Sequence, residues 1–420
     1  MRHRIYLTPG MFGFGKLATY DYFAHVAGAL RTRFEAAGQR VDTYVVDVAP
    51  TASIRRRAAR LAELVAVTSS DDSHLHLLGH STGGLDARLV ASPSARLPVD
   101  PARMGWLPRL RSVTMMNTPH YGTPLASFFA TVSGQRMLYA VSALTFIGLS
   151  LGAPPLAAAS ALVVAIGQLD RAVLGMEIKV IERITDGLMK ALEPASSREV
   201  RDFLDAIAKD QGAVIQLTPE AMDLFQAGVE DRPGVTYQAT CAAAPSPSAR
   251  RLLGSMLSPW RAISSTLFTT LYGITSRRDE RYPCEANEPG GTRATDDALR
   301  AALGGLPGQR ANDGVVPLRS QVWGNVIWAG TADHLDVLGH FAGYVAPRTP
   351  MWSRMRDRFR REATVAEAII EEASKVGGMA PPPNADERHV DWLTSGSGFD
   401  EKAFHGLMDA IAGGMLASAP

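Results

Sequence analysis

The sharpest chemistry in this chain sits in one pentapeptide, Gly79-His80-Ser81-Thr82-Gly83. It fits G-x-S-x-G, the turn that carries a nucleophilic serine from the end of a strand into a helix. The glycines matter because so sharp a turn brings neighbouring backbone together and leaves no room for side chains. A pattern this short arises by chance in many chains, so its setting decides. Leu75 to Leu78 enters it as an apolar strand, and Gly84-Leu85-Asp86-Ala87-Arg88 leaves it as a helix, which is the context the turn requires.

A serine hydroxyl is a poor nucleophile until a base removes its proton, and the base needs an orienting carboxylate. In this kind of turn the order along the chain is serine, acid, histidine. Asn312-Asp313-Gly314-Val315-Val316-Pro317 supplies Asp313 in a loop, and Ala332-Asp333-His334-Leu335-Asp336 supplies His334 after the last strand pattern. His340 competes for the base and Asp333 and Asp336 for the carboxylate, but both aspartates lie very close to His334 in sequence. Asp313-Gly314 also reads as a plain turn. An oxyanion formed on attack would need two backbone N–H donors. Thr82, next to the serine, and Met11, in the loop Gly10-Met11-Phe12-Gly13, are the candidates; the alternative for that loop is a glycine turn with no catalytic role.

These groups need a scaffold that brings distant loops to one edge. Ile5 to Leu7 reads as a strand, Phe23, Val26, Leu30 and Phe34 as a helix, Val41 to Val48 as a strand, Ile54 to Val67 as a helix, and Val113 to Met116 as a further strand. Alternation of this kind predicts a mostly parallel central sheet flanked by helices. Strands resume at Val235 to Thr240 and Val322 to Trp328.

The alternation is interrupted by Met137 to Leu169, which holds no charged residue. Pro154-Pro155 divides it into pieces too short to cross a bilayer, so an apolar helical hairpin is expected. Helices are expected over Glu177 to Leu192, Arg198 to Ala208 and Thr218 to Phe225. The predicted organisation is a core over 1–130, a helical cap or lid insertion over 131–234, a second part of the core over 235–350 with an inserted segment around 243–290, and a helical extension over 351–420, closing on a helix from Asp400 to Met415.

The chain has 420 residues, 46% of them hydrophobic, enough for a large core with additions. Lys plus Arg total 43 and Asp plus Glu 42, a net charge of +1, so no field favours nucleic acid. Arg55-Arg56-Arg57 reads as the solvated face of a helix. Cys241 and Cys284 are too few for a disulfide framework. Met1-Arg2-His3-Arg4 is followed by too short an apolar run for a signal peptide; the expectation is a cytoplasmic protein, or a secreted one if a leader was removed.

Five motifs taken together, Pro9-Gly10-Met11-Phe12-Gly13-Phe14, Gly79 to Gly84, Asn117-Thr118-Pro119-His120-Tyr121-Gly122, Asn312 to Val316 and His334-Leu335-Asp336, resemble the ordered motifs of bacterial triacylglycerol lipases. The likeness covers roughly 3–130 and 235–345. It implies an α/β-hydrolase fold, hydrolysis of lipid esters, a mobile lid and, in many members, a calcium ion that holds the histidine loop. By this resemblance Asp336 matches a calcium-ligand position, with Asp296 or Asp297 as the second carboxylate, while no cofactor is required for the reaction. Two departures stand out: Pro9 where the family usually has histidine, and His340 where it has an amide ligand.

The expected function is therefore hydrolysis of a hydrophobic ester, an acylglycerol or polyester, through an acyl-enzyme on Ser81, with transient contact to a lipid interface through 137–169. The same three groups would serve acyl transfer, and a non-catalytic lipid-surface protein could keep the fold.

Overall fold

The computed structural model of the chain describes residues 1–11, 22–49, 51–131, 138, 205, 207, 209–248, 259–277, 293–305, 308–341, 377–379 and 393–419. The hairpin expected over 137–169, apart from Leu138, the helix expected over 177–192, most of that over 198–208, Cys284 and the proline linker 381–383 lie outside the described residues.

In chain order the elements are β1 (Arg2–Thr8), α1 (Ala24–Ala36), β2 (Arg40–Val46), α2 (Ile54–Thr68), β3 (His74–His80), α3 (Thr82–Ala91), β4 (Leu110–Met116), α4 (Pro124–Phe129), α5 (Gly212–Gln216), α6 (Pro219–Gly228), β5 (Thr236–Ala242), α7 (Pro259–Thr275), α8 (Arg293–Leu303), β6 (Asn325–Gly330), β7 (Gly377–Met379) and α9 (Glu401–Ala417). The sheet runs β6-β5-β4-β3-β1-β2-β7, parallel throughout except that β7 pairs antiparallel with β2 at one edge. The sequence pattern begins the last core strand at Val322. That strand starts instead at Asn325, because a 3-10 turn at Leu318–Gln321 and Gly324, at φ +58°, intervene.

Side chains alternate across a strand, so each strand feeds two cores. Ile5, Leu7 and Leu78 point to one face, where α1 lays down Phe23, Val26, Leu30 and Phe34 and α9 adds Phe404, Leu407, Met408 and Ile411. Tyr6, Leu75 and Leu77 point to the other face, under Ala58, Leu61, Leu64 and Val65 of α2 and Ala87 and Val90 of α3. Every residue of β3 is buried, as expected of a central parallel strand covered on both sides. The chain winds from β1 outward to β2 and then back across β1 to β3, so strand order reverses between β1 and β3, which stay paired as far as Thr8 and Gly79. A crevice opens where strand order reverses in this way, and it is the usual ligand site of open parallel sheets.

Histidines are an unusual part of this core. His3 Nδ1 lies 3.0 Å from His76 Nε2, and His76 Nδ1 lies 2.8 Å from Ser112 Oγ, at the opposite end of the strands from that crevice. Burial pushes His3 down to about 4 and holds His76, His80 and His120 well below the usual imidazole value, with His74, His3, His334 and Arg88 respectively adding to the effect. A histidine with a depressed folded pKa is protonated first in the unfolded chain, so its stabilising contribution is complete above the unfolded value and is lost as pH falls below it. Each such side chain removes about 1.4 kcal/mol of stability per pH unit below roughly 6.5, until its own folded value is reached. The melting temperature should therefore hold near about pH 7 and drop steeply towards about pH 5. A thermal scan giving the same midpoint at both values would contradict neutral burial of these imidazoles.

Candidate active site

Ser81 stands between β3 and α3 with φ 54° and ψ −128°. A non-glycine residue in that region carries about 1–3 kcal/mol of strain, which persists only where the surroundings hold it. Here the Ser81 N–H donates to the Met116 carbonyl at 2.8 Å and Gly84 N–H to the Ser81 carbonyl at 3.0 Å. A Cβ at Gly79 would collide with the Gly83 backbone, and one at Gly83 with the Thr8 carbonyl. The two glycines are required by close approach of β1, β3 and α3.

Asp313 and His334, which are 21 residues apart, meet at this edge of the sheet: His334 Nδ1 is 2.7 Å from Asp313 Oδ2. Asp313 is wholly buried, and its Oδ1 accepts from the Val315 and Val316 N–H groups at 3.0 and 2.7 Å. Oδ2 accepts also from Asn117 Nδ2 at 3.1 Å and Gln321 Nε2 at 3.3 Å. Every one of these partners donates, so the His334 proton on this side sits on Nδ1 and Nε2 is left as an acceptor. Asn117 reaches its place with φ 48°, directly after β4, its N–H bonded to Thr240 in β5. Sequence reasoning noted the Asn117 motif without a role for it and missed Gln321.

The rivals are placed otherwise. His340 packs edge-on against His25, ring centroids 5.9 Å apart. Asp333 Oδ1 accepts from the N–H groups of Leu335 and Asp336, and Asp336 Oδ2 from Asp333 N–H, so both carboxylates close their own loop.

Beside the serine, His80 ties three parts of the site together. Its Nε2 is 2.9 Å from the His334 carbonyl, which can only accept, so Nε2 carries the proton. Nδ1 then accepts, 2.6 Å from the Tyr22 hydroxyl, and the Tyr22 oxygen in turn accepts from Gly10 N–H at 3.1 Å. Burial raises the Tyr22 phenol and lowers His80, so both groups are neutral and the chain of donors has one direction. Two side chains, Tyr22 and His80, thus link the backbone after β1 to the backbone of His334. On the other side of that loop, Arg57 of α2 donates to the Pro9 carbonyl and pairs with Asp86 of α3 at 2.9 Å, all fully buried. Arg57, expected on a solvated face, is 1% exposed; it turns inward because Asp86 and Pro9 offer it partners.

Gly10 abuts Ser81 so closely that a Cβ there would lie 2.8 Å from the serine Cβ. Met11 follows Gly10, and Thr82 opens α3, where first-turn N–H groups have no partner within the helix. The arrangement places a strained serine, two backbone segments with N–H groups and a carboxylate-held imidazole at the C-terminal edge of the sheet.

The chain has the α/β-hydrolase fold. No family model matches it. Over 155 residues it is 34% identical to a triacylglycerol lipase of Vibrio cholerae serotype O1, a stretch covering 36% of this chain and 42% of that relative. The chain thus spans less than half the length of that curated relative. Among solved structures, EstA from Clostridium botulinum overlays with a TM-score of 0.47 at 19% identity, covering 80% of this chain and 83% of the other. Lipase 1 from Pelosinus fermentans gives 0.45 at 13%, covering 86% and 99%, and the Staphylococcus hyicus lipase 0.40 at 18%, covering 80% and 88%. Likenesses this distant say nothing about activity.

The calcium site implied by resemblance can be compared with the donors present. Asp336 Oδ2 accepts from Asp333 N–H and from Ser397 Oγ, at 2.8 and 2.7 Å. Asp296 pairs with Arg319, and Asp297 with Arg300 at 3.0 Å. Calcium takes six to eight oxygens, several of them charged. Among the described residues no three acidic, histidine or cysteine side chains gather in metal-binding range. Among the described residues Asp336 is braced by hydroxyl and backbone N–H donors, and Asp296 and Asp297 by guanidinium groups.

Proposed function

We propose that this chain is a serine carboxylic-ester hydrolase acting on hydrophobic esters such as acylglycerols or polyesters through an acyl-enzyme. The observation that carries the reading is the buried Asp313–His334 pair, 2.7 Å apart, whose histidine backbone is hydrogen-bonded to the residue preceding a strained Ser81. Ser81 Oγ attacks the ester carbonyl while His334 Nε2 takes its proton. Asp313 keeps the imidazole in the required tautomer and stabilises it once protonated. Met11 and Thr82 N–H groups receive the oxyanion, a contribution worth on the order of 10²–10³ in rate per donor. His334 then returns the proton to the leaving alcohol, and water repeats the sequence on the acyl-enzyme. The stretch shared with a protein named triacylglycerol lipase supports ester hydrolysis over other acyl chemistry and favours hydrophobic acyl groups.

The test is hydrolysis of p-nitrophenyl esters from acetate to palmitate, with and without an added primary alcohol. Nitrophenol and free acid should be released, with kcat/KM rising beyond acetate. No turnover of any ester would refute the assignment, and ester exchange outrunning hydrolysis in water would make the chain an acyltransferase.

A further inference from the structure

The extension beyond 351 has no part in the chemistry above, yet one piece of it reaches the histidine loop. The segment Thr394-Ser395-Gly396-Ser397-Gly398-Phe399 lies along Asp333 to Asp336. Ser395 Oγ donates to Asp333 Oδ2 and Ser397 Oγ to Asp336 Oδ2, each at 2.7 Å. These are the two carboxylates that bracket His334, and hydroxyl-to-carboxylate bonds of this length are of the strong, charge-assisted kind. The same carboxylates also receive the loop's own N–H groups, from Leu335 and Asp336 on Asp333 and from Asp333 on Asp336. Each aspartate therefore joins the loop to the tail.

The tail is built for this placement. Gly396 and Gly398 have φ of 68° and 71°, a left-handed conformation that turns both serines towards one side and that other residues adopt at a cost. Thr394 N–H bonds to Ser264 Oγ of α7 at 2.7 Å, and the Ser395 and Ser397 hydroxyls accept from the N–H groups of Ser397 and Phe399. Phe399 packs against Phe341 and Trp328, ring centroids 5.4 and 6.2 Å away, on the two sides of the loop in sequence. Beyond it, Asp400 caps α9, whose apolar face is sunk in the core beside α1.

We propose that Ser395 and Ser397 form a clasp that positions the catalytic histidine loop, performing with neutral hydroxyl donors the bracing that a cation would otherwise supply. The inference rests on the reading of His334 as the general base. Ser395 and Ser397 touch neither substrate nor reacting atoms; they are positioning residues acting through Asp333 and Asp336. Loss of the clasp would remove the tail's two ties and leave the loop held by its internal bonds and by the His80 and Asp313 bonds to His334, and a base displaced by a fraction of an ångström takes the serine proton less often without altering how substrate binds.

The experiment compares the full chain with S397A, S395A/S397A and S397T. Supporting contacts of this type are worth about 10–100-fold, so kcat should fall about 10-fold in S397A and about 100-fold in the double variant with KM within about twofold. S397T, which keeps the hydroxyl, should recover most of the rate, and EGTA should leave the native rate unchanged. Hydrogen exchange over 330–338 reads the same loop with no substrate present: its protection should drop about 10-fold in S397A, as expected when a local tie is opened. Native exchange protection in S397A, native kcat in the double variant, a rise in KM alone, or inactivation by EGTA would each overturn the clasp. A native chain that hydrolyses no ester, while S397A still loses loop protection, would remove the proposed activity and leave the clasp as a structural tie.

Discussion

Ser81→Ala is expected to lower kcat for ester hydrolysis by about 10⁶-fold, leaving KM within a few-fold. The reason is local. The strained turn, with its φ of 54°, presents one hydroxyl at the C-terminal end of β3, and alanine removes the attacking atom while leaving the turn and the N–H donors in place. Residual rate would come from those donors acting on a bound ester and water. Steady-state kinetics on the purified variant measure it, and retention of more than about a thousandth of the native kcat would place the nucleophile elsewhere.

Asp313→Asn should cost about 10⁴-fold in kcat, the second largest effect. Asp313 accepts from His334, Asn117, Gln321 and two backbone N–H groups, all of which present donors to it. An amide must turn its own NH₂ towards one of these donors. Facing His334, it would force the imidazole proton onto Nε2, where the Ser81 proton has to go. Facing the Val315 and Val316 N–H groups, it would break the turn that carries residue 313. Full kcat in this variant at neutral pH would mean that the pair plays no part in activating the serine.

The parts of this arrangement legible in the sequence are those whose local grammar is strong. Gly79 and Gly83 around Ser81 announce a turn because only glycine fits there, and the apolar runs of β1 and β3 announce buried strands because both sheet faces are covered. Chain order and loop context point to Asp313 and His334, while their contact depends on how β5 and β6 align, which no single-sequence pattern encodes. The Tyr22–His80–Gly10 path and the Asn117 and Gln321 donors join residues far apart in the chain and leave no periodic signal. An arginine triplet at the start of a helix reads as solvated; the buried Asp86 that turns Arg57 inward lies 29 residues away. The clasp is the least legible of all, since Ser-Gly-Ser-Gly has the composition of a flexible linker and only its two aspartate partners give it structure.

The most direct test of the whole account is reaction with a fluorophosphonate, followed by intact mass and peptide mapping. Such reagents capture a serine only where a base activates it and N–H donors stabilise the adduct. One adduct per chain, on Ser81 and absent from Ser81→Ala, is the result predicted here. A chain that remains unmodified, or one modified at another serine, would contradict the assignment of Ser81, Asp313 and His334 as a working catalytic set.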